Sequence, residues 1–279
     1  MVNGEKIKDK FPKDKDFVIR TAITDVESNK IVTRGYSQEE LIANISFSDM
    51  VYLLLRGDLP SSKESKMFNH VLVSFCDHGV TSPSTQTSRL IASSGSPLNV
   101  ALSGGLLSFG KNHAGAIEEA MNLFQQTFKE DIYDDLDGLD DSKIDELASK
   151  IVNKYSSNNK KVPGFGHRYH TKDPRGAELL DLSKKEGCIG KHIKLVLAIE
   201  KILSKTKGIH INVDGANGAI LSDMGFSSSL GIGIFMIGRI PGIIAHVNEE
   251  ITKNEGFRKF CKIDDISYCG YEDKHIDDD

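Results

Sequence analysis

Five short segments of the sequence place reactive or charged side chains where a helical pattern begins or ends. They contain His78, His113, His167, Asp214 and Arg239. Loops and helix ends are the positions from which a rigid scaffold presents chemistry. Imidazoles and a carboxylic acid can transfer protons, and a guanidinium can bind a carboxylate. Each residue also has a structural explanation, since an imidazole can offset a helix dipole and an aspartate can cap a helix.

Residues 162–175, VPGFGHRYHTKDPR, combine glycines, imidazoles and cations in one segment. Gly164 and Gly166 allow the backbone to approach a bulky ligand closely. The spacing of His167 and His170 also suggests a metal site. However, the neighbouring cations repel a divalent ion, and no cysteine or carboxylate pattern completes a ligand set. We therefore expect no bound metal.

Composition and charge narrow the class of protein. The chain has 279 residues, of which 39% are apolar, enough for one large or two modest domains with a sizeable core. Its net charge of -5 argues against a general nucleic-acid binder. The charged N-terminus lacks the apolar stretch of a leader, so we expect a cytoplasmic protein. The four cysteines show no CxxC spacing and are expected to be reduced thiols.

The spacing of apolar residues is mostly helical. Helices are predicted at 37–57, 63–79, 84–94, 97–109, 114–128, 143–155, 176–185, 191–204, 216–224 and 230–238. The first is expected to begin with Ser37 as its N-cap and to stop near Gly57 and Pro60. Only residues 17–35 predict a small hairpin, and the acidic residues 130–146 predict a loop and a helix start. The fold class is therefore all-α.

The most apolar stretch, residues 229–247, is long enough to suggest a membrane span. It contains several glycines, Arg239 and Pro241. An arginine at the centre is costly in a bilayer, and proline cannot continue the helical hydrogen bonding. We therefore expect a pair of buried helices, broken between Ile237 and Gly242.

Taken in order, these segments resemble the citrate synthase superfamily. The family's motifs are a DH-containing helix end, an LHGxA turn, VPGFGHxxxxxKDPR, NVDxxxG and RIPGWxAH. The matching stretches here are residues 77–78, 113–116, 162–175, 212–214 and 239–246, and the resemblance extends over residues 33–268. It implies a large helical domain of residues 1–114 and 213–279, a small helical domain of residues 115–212, and an active site in the cleft.

Within the superfamily the chain most resembles the citryl-CoA lyase branch and the C-terminal module of ATP-citrate lyase. The segment between Pro60 and Cys76 is shorter than in full-length citrate synthases, and Arg168 directly follows His167. This resemblance implies cleavage of citryl-CoA to acetyl-CoA and oxaloacetate by reversible retro-Claisen chemistry. Two alternatives stay open. One is a compact citrate or 2-methylcitrate synthase acting on acetyl-CoA or propionyl-CoA, and the other is a non-catalytic CoA-binding subunit.

The resemblance also implies roles for individual residues. It assigns His167 to the hydroxyl that becomes the oxaloacetate carbonyl, His113 to the thioester oxygen, and Asp214 to the proton of the acetyl carbon. The implied substrate-binding residues are His78, Arg168, Arg175, Arg239 and Arg258. The implied CoA-binding residues are Val162, Gly164, Phe165, Gly166, Lys161 and Lys172.

The same resemblance implies which partners to expect. No tightly bound cofactor is expected, because coenzyme A enters as part of the substrate and leaves with the product. A homodimer or higher homo-oligomer is expected, packed through the small residues of helices 84–94 and 97–109. A separate citryl-CoA synthetase is a further candidate partner, and neither nucleic acid nor membrane is expected.

Overall fold

A computed structural model describes residues 19–130, 140–168, 170–257 and 261–276, and most of them are helical. The helices are α1 Gln38–Asn44, α2 Phe47–Arg56, α3 Ser62–Phe75, α4 Pro83–Ser93, α5 Leu98–Leu107, α6 Gly115–Glu130, α7 Asp141–Ser157, α8 Pro174–Lys185, α9 Lys191–Lys207, α10 Val213–Asp223 and α11 Gly231–Lys253. Three antiparallel strands precede them: β1 Thr24–Glu27, β2 Lys30–Thr33 and β3 Tyr36–Ser37. The predictions of an all-α fold and a small hairpin are confirmed.

The chain forms two compact units, Met1–Pro60 and Ser61–Asp279. The large and small helical domains expected from the resemblance have other boundaries, at residues 114 and 212, and these stay a prediction. Part of the acidic loop, residues 131–139, lies outside the described residues, and so does Arg258. The helix start expected after that loop is present, because the Asp140 side chain accepts a hydrogen bond from the Lys143 N–H at the start of α7.

In the first unit, residues 37–57 form two helices, so the prediction of a single helix is wrong. Ser37 caps α1 as predicted, accepting a hydrogen bond from the Glu40 N–H. Ser46 then forms a capping box with Asp49, in which each side chain accepts from the other residue's N–H. This box satisfies N–H groups at the start of a new helix and so favours a break there. Gly57, in the left-handed conformation, ends α2 as predicted.

Helix α10 lies at the centre of the second unit. It packs against α6, α8 and α9, and all but two of its residues are buried. A Cβ at Gly215 would overlap the Gly164 carbonyl, and one at Gly218 would lie 3.3 Å from Ala120 Cβ. The small residues of α10 therefore let a loop and α6 approach its backbone closely.

Helix α11 runs without interruption from Gly231 to Lys253, with Pro241 inside it. The predicted break between Ile237 and Gly242 is therefore wrong. A proline removes one N–H donor, and the packing of α11 against α3, α4, α5 and α6 maintains the helix. By length and hydropathy α11 would suffice to cross a membrane. It is instead a core helix here, with Arg239 and Glu250 both 2% exposed.

Candidate active site

A cavity of about 350 Å³ lies in the second unit, and side chains from distant parts of the chain line it. The predicted site residues that line it are His78, His113, Gly166, His167, Arg168, Arg175, Asp214 and Arg239. They come from the segments that follow α3 and α5, from the loop before α8 and the first turn of α8, and from the first turn of α10 and the middle of α11. His113, His167 and Asp214, to which the resemblance assigns the chemical steps, thus line one cavity.

Asp214 occupies the first turn of α10 and is not the N-cap. Asn212 is the N-cap, and its side-chain oxygen accepts hydrogen bonds of 3.0 Å from the N–H groups of Asp214 and Gly215. Within the described residues the Asp214 Oδ1 atom is buried and makes no hydrogen bond. Burial raises the pKa of Asp214 to about 6, opposed by the charge of Arg175. A carboxyl group with this pKa can both hold and release a proton near neutral pH.

His113 lies in a tight turn between α5 and α6. The Gly110 N–H donates to the His113 carbonyl and the His113 N–H to the Gly110 carbonyl, each at 2.9 Å. The ring packs 4.6 Å from Phe109, centroid to centroid, and its Nε2 lies 2.9 Å from Ser84 Oγ. Burial, followed by the charge of Arg239, lowers the pKa of His113 to about 4. The ring is therefore neutral at pH 7, and when the Ser84 hydroxyl donates to Nε2 the ring's proton sits on Nδ1.

The loop that carries His167 is pinned to the segment before α10. The Gly166 N–H donates to the His210 carbonyl at 2.8 Å, and the Asn212 side chain donates to the Gly166 carbonyl at 2.7 Å. His167 Nδ1 accepts a hydrogen bond from the His170 N–H at 3.2 Å, which favours the neutral tautomer protonated at Nε2. Burial lowers the pKa of His167, although Asp173 opposes the effect. Asn212 thus positions both the histidine loop and the helix that carries Asp214.

Three histidines come together beside this loop. One ligand atom from each of His78, His167 and His170 lies within 4.8 Å of the others. Among the residues that the structure describes, no cysteine or carboxylate joins this group. Arg168 and Arg175 raise the local positive charge, which lowers the pKa of His167. The expectation of no metal stays a prediction.

The arginines differ in how many donors they can offer a ligand. Arg239 is buried, donates from Nε to the Phe75 carbonyl at 2.7 Å, and packs over the Phe235 ring. Arg175 donates from Nε and Nη2 to the Asp173 carboxylate. Arg168 is exposed at the rim. Arg239 and Arg175 therefore approach the cavity with part of each guanidinium already engaged.

His78 is positioned by the carboxylate of the preceding residue. Asp77 Oδ2 accepts from the Gly79 N–H at 3.1 Å, and Asp77 Oδ1 lies 3.1 Å from His246 Nε2 on α11. Gly242 lets this segment lie directly against α11, because a Cβ there would overlap the Cys76 carbonyl. Burial lowers the pKa of His78, and the charge of Arg175 adds to the effect.

The residues expected to bind CoA fall into two groups. Lys161 and Lys172 are exposed and Gly166 lines the cavity, whereas Val162, Gly164 and Phe165 are buried. The buried position of Gly164 has an intramolecular cause: a Cβ there would lie 2.5 Å from Gly215 Cα, and its φ is +83°. The expected reason for this glycine, close approach to a ligand, is therefore corrected to close approach to α10.

Comparison with known proteins identifies the family to which this chain belongs. The family model described as "Citrate synthase, C-terminal domain" matches residues 16–74 and 61–259. This chain belongs to the citrate synthase family. Its fold is similar to a structure titled citryl-CoA lyase from Hydrogenobacter thermophilus, with 36% identity, a TM-score of 0.82, and coverage of 93% of this chain and 98% of that chain.

Curated relatives in the citrate synthase family are longer. The citrate/2-methylcitrate synthase of Bacillus subtilis is 31% identical over 82% of this chain and 58% of its own length. The citrate synthase of Heyndrickxia coagulans is 28% identical over 85% of this chain and 60% of its own length. This chain therefore spans about 60% of the length of these two curated relatives.

Three further residues in or beside this cavity were missed in the sequence. Ser84 contacts His113, Asn212 caps α10, and Asp173 holds Arg175. Asn212 and Asp173 stand in the NVD and KDPR stretches, so their polar character next to the chosen residues was an available signal. Ser84 offers no such signal, because it is one of several serines in a helix far from His113 in sequence.

Proposed function

We propose that this chain is a citryl-CoA lyase that cleaves citryl-CoA to acetyl-CoA and oxaloacetate. The observation that carries the proposal is the similarity to the citryl-CoA lyase of Hydrogenobacter thermophilus, at 36% identity over 98% of that chain. The curated synthases of Heyndrickxia coagulans and Bacillus subtilis, in contrast, are 28% and 31% identical to this chain and match over about 60% of their own length.

The cavity contains the groups that this cleavage requires. The breaking bond joins the hydroxyl-bearing carbon to the methylene carbon beside the thioester. Its electron pair passes to the thioester as an enolate, the hydroxyl loses its proton as the ketone forms, and the methylene carbon gains a proton. His113, a neutral donor, stabilises the enolate oxygen by a hydrogen bond. Asp214, with a pKa of about 6, delivers the proton to the carbon.

His167 serves the oxygen at the other end of the breaking bond. With Nδ1 accepting from the His170 N–H, the neutral ring carries its proton on Nε2 and acts as a donor to that oxygen. Removal of the hydroxyl proton by this ring therefore requires the contact with His170 to open. The proposed catalytic cycle therefore includes a movement of the loop that carries His167.

Arginines and His78 recognise the two free carboxylates of the citryl group. Arg239 and Arg175 each retain N–H groups that Phe75 and Asp173 do not engage. Arg168, at the rim, adds a third guanidinium. Guanidinium–carboxylate hydrogen bonds are among the stronger ones available to a protein.

The test is a product assay with citryl-CoA. We expect the parent to release acetyl-CoA and oxaloacetate in equal amounts, and Asp214→Asn to reduce kcat by about 10²- to 10⁴-fold, as for loss of a general acid. Retained binding of CoA by the variant, measured by calorimetry, controls for misfolding. A parent inert toward citryl-CoA would reject the lyase, and equal rates for the two proteins would remove Asp214 from the mechanism.

The second candidate is a compact citrate or 2-methylcitrate synthase. The 31% identity with the citrate/2-methylcitrate synthase of Bacillus subtilis favours it. Its signature is steady release of free thiol from acetyl-CoA or propionyl-CoA in the presence of oxaloacetate. A lyase working in reverse instead retains the thioester, so the two activities separate in one assay.

A further inference from the structure

We propose that Asp173 is a positioning residue, which aims the Arg175 guanidinium into the cavity and ties it to the chain segment carrying Asp214. The role of Arg175 as a carboxylate ligand rests on the proposed function. The link between Asp173 and Asp214 rests on the structure alone. Asp173 does not line the cavity and acts through the residues that do.

The Asp173 carboxylate is almost completely buried and fully hydrogen-bonded. Its side chain is 1% exposed. Oδ1 accepts from the Arg175 N–H and from Arg175 Nε, each at 3.1 Å. Oδ2 accepts from Arg175 Nη2 and from the Val213 N–H, each at 3.0 Å. The two parallel hydrogen bonds from Nε and Nη2, here called the fork, hold the guanidinium plane in one orientation. The Nη1 edge, which Asp173 does not engage, is therefore the one directed to a ligand.

The hydrogen bond from Val213 makes Asp173 a link between two helix starts that are 40 residues apart in the chain. Arg175 lies in the first turn of α8, and Val213 is the first residue of α10, directly before Asp214. Gly176 permits this approach, because a Cβ there would lie 3.1 Å from the carbonyl carbon and oxygen of Asn212. Asp173 thus sets the distance between a predicted substrate ligand and the predicted proton donor.

Asp173 and Arg175 also have opposite effects on the pKa of Asp214. Arg175 lowers the pKa of Asp214 and Asp173 raises it, while burial has the largest effect. Arg239 on α11 also lowers it. The other titratable or charged residues that line the same cavity are His78, Lys111, His113, His167 and Arg168. Of these neighbours only Asp173 is an acid, so its removal leaves the charges of Arg175 and Arg239 acting on Asp214 without an opposing carboxylate.

The experiment compares Asp173→Asn, Arg175→Gln and the double variant by kinetics and by titration. We expect Asp173→Asn to raise KM for citryl-CoA by about tenfold, since a misaimed ligand loses uniform binding, while kcat falls only as far as the protonated fraction of Asp214 falls. The Asp214 carboxyl is titrated by ¹³C NMR of aspartate-labelled protein and assigned by its absence in Asp214→Asn. Its midpoint should fall in Asp173→Asn, rise in Arg175→Gln, and return toward the parent in the double variant.

The double variant distinguishes a role of Asp173 in positioning Arg175 from a general loosening of the packing around Asp214. If Asp173→Asn merely loosened the site, water would lower the Asp214 midpoint equally in Asp173→Asn and in the double variant, and this result would overturn the proposal. An unchanged KM in Asp173→Asn would do the same. Should Asp173→Asn fail to fold, Arg175→Lys keeps the Asp173–Val213 hydrogen bond but lacks the fork, so a KM equal to that of the parent would contradict the role.

The NMR titration does not depend on turnover. A parent without lyase activity would reject the proposed function and leave the coupling between Asp173 and Asp214 to be judged by the midpoints alone.

Discussion

At the scale of single residues, burial shifts the pKa values of four site residues so that each favours its neutral form. It raises the pKa of Asp214 to about 6 and lowers that of His113 to about 4. Burial also lowers the pKa values of His78 and His167. All four groups are therefore biased toward their neutral forms, because a low-dielectric site disfavours charge. A neutral imidazole can still donate a hydrogen bond, and a protonated carboxyl group can donate its proton as a general acid.

A raised carboxyl pKa predicts a stability cost at Asp214. The unfolded chain has a pKa near 3.8 at this residue and the folded chain one of about 6. Below pH 3.8 both states bind the proton and there is no cost. As the pH rises from 3.8 to about 6, the unfolded chain releases this proton while the folded chain still holds it, so the folded protein loses stability, by up to about 3 kcal/mol for a shift of this size. We expect Asp214→Asn to increase the free energy of unfolding by about 1–3 kcal/mol at pH 8.

Urea unfolding of the parent and Asp214→Asn at pH 8 and pH 4 checks this prediction, because the gain should vanish at the lower pH. Asp223→Asn is the matched control. The Asp223 carboxylate accepts hydrogen bonds from three backbone N–H groups, those of Gly190, His192 and Ile193. Its loss should therefore destabilise the protein. A gain for Asp214→Asn that is the same at both pH values would contradict the pKa argument.

At the scale of elements, close backbone approach decides where the site residues lie. Gly164 meets Gly215, Gly176 meets Asn212, and Gly242 meets Cys76. Each pair brings a loop or helix end against a neighbouring element, and each lies within a few residues of a cavity-lining side chain. The positions of His167, Arg175 and His78 therefore depend on residues that have no side chain to present.

Two glycines of the histidine loop provide a matched test of this dependence. Both have positive φ, +83° at Gly164 and +81° at Gly166, so alanine is strained at either position. A Cβ at Gly164 would lie 2.5 Å from Gly215 Cα, whereas one at Gly166 would lie 3.8 Å from its nearest neighbour, Ile209. We expect Gly166→Ala to cost about 1–2 kcal/mol from backbone strain alone, and Gly164→Ala to cost about 1–3 kcal/mol more from overpacking.

Unfolding free energies of the two variants measure the difference. Gly164→Ala should also lose activity, because it separates the loop of His167 from the helix of Asp214. Equal destabilisation by the two variants would show that the Gly164–Gly215 contact does not determine the packing of the loop.

The elements also show which features a sequence can predict. The Ser37 cap, the Gly57 stop and the core position of residues 229–247 followed from local rules and are confirmed. The continuity of α11 through Pro241 did not follow from local rules, because contacts with four other helices decide it. The division between α1 and α2 was missed although Ser46 and Asp49 have the spacing of a capping box. That local signal was available and was outweighed by the apolar periodicity.

At the scale of the whole molecule, the convergence of the site was predictable only through resemblance. Residues 78, 113, 167, 214 and 239 are far apart in sequence, and no periodicity relates them. Their order, however, matches the motifs of the citrate synthase family. Contacts that are made in three dimensions alone, such as that between Ser84 and His113 or between Asp173 and Val213, were missed. Family motifs indicate which residues meet, and the structure adds the residues that hold them.

The outer surface of α5 provides a prediction about assembly. Gly104 and Gly105 were expected to pack across a two-fold axis, but they lie against Ile91 and Ser88 of α4 in the same chain. The exposed face of α5 instead carries apolar side chains, with Leu107 86% exposed and Val100 45% exposed. Exposed apolar surface is typical of an interaction site when it is contiguous. The expected homodimer stays a prediction, which we now place on this face of α5.

Leu107→Glu should weaken that dimer, because a carboxylate is costly to bury in an apolar interface without a partner. Sedimentation velocity over a range of concentrations should show a dimer for the parent and a shift toward monomer for the variant, by about tenfold or more in Kd. Ile42→Glu, at an apolar position that is 76% exposed in the first unit, is the control and should leave the dimer unchanged. A parent that sediments as a monomer at all concentrations would contradict the dimer. An unchanged dimer in Leu107→Glu would place the interface elsewhere.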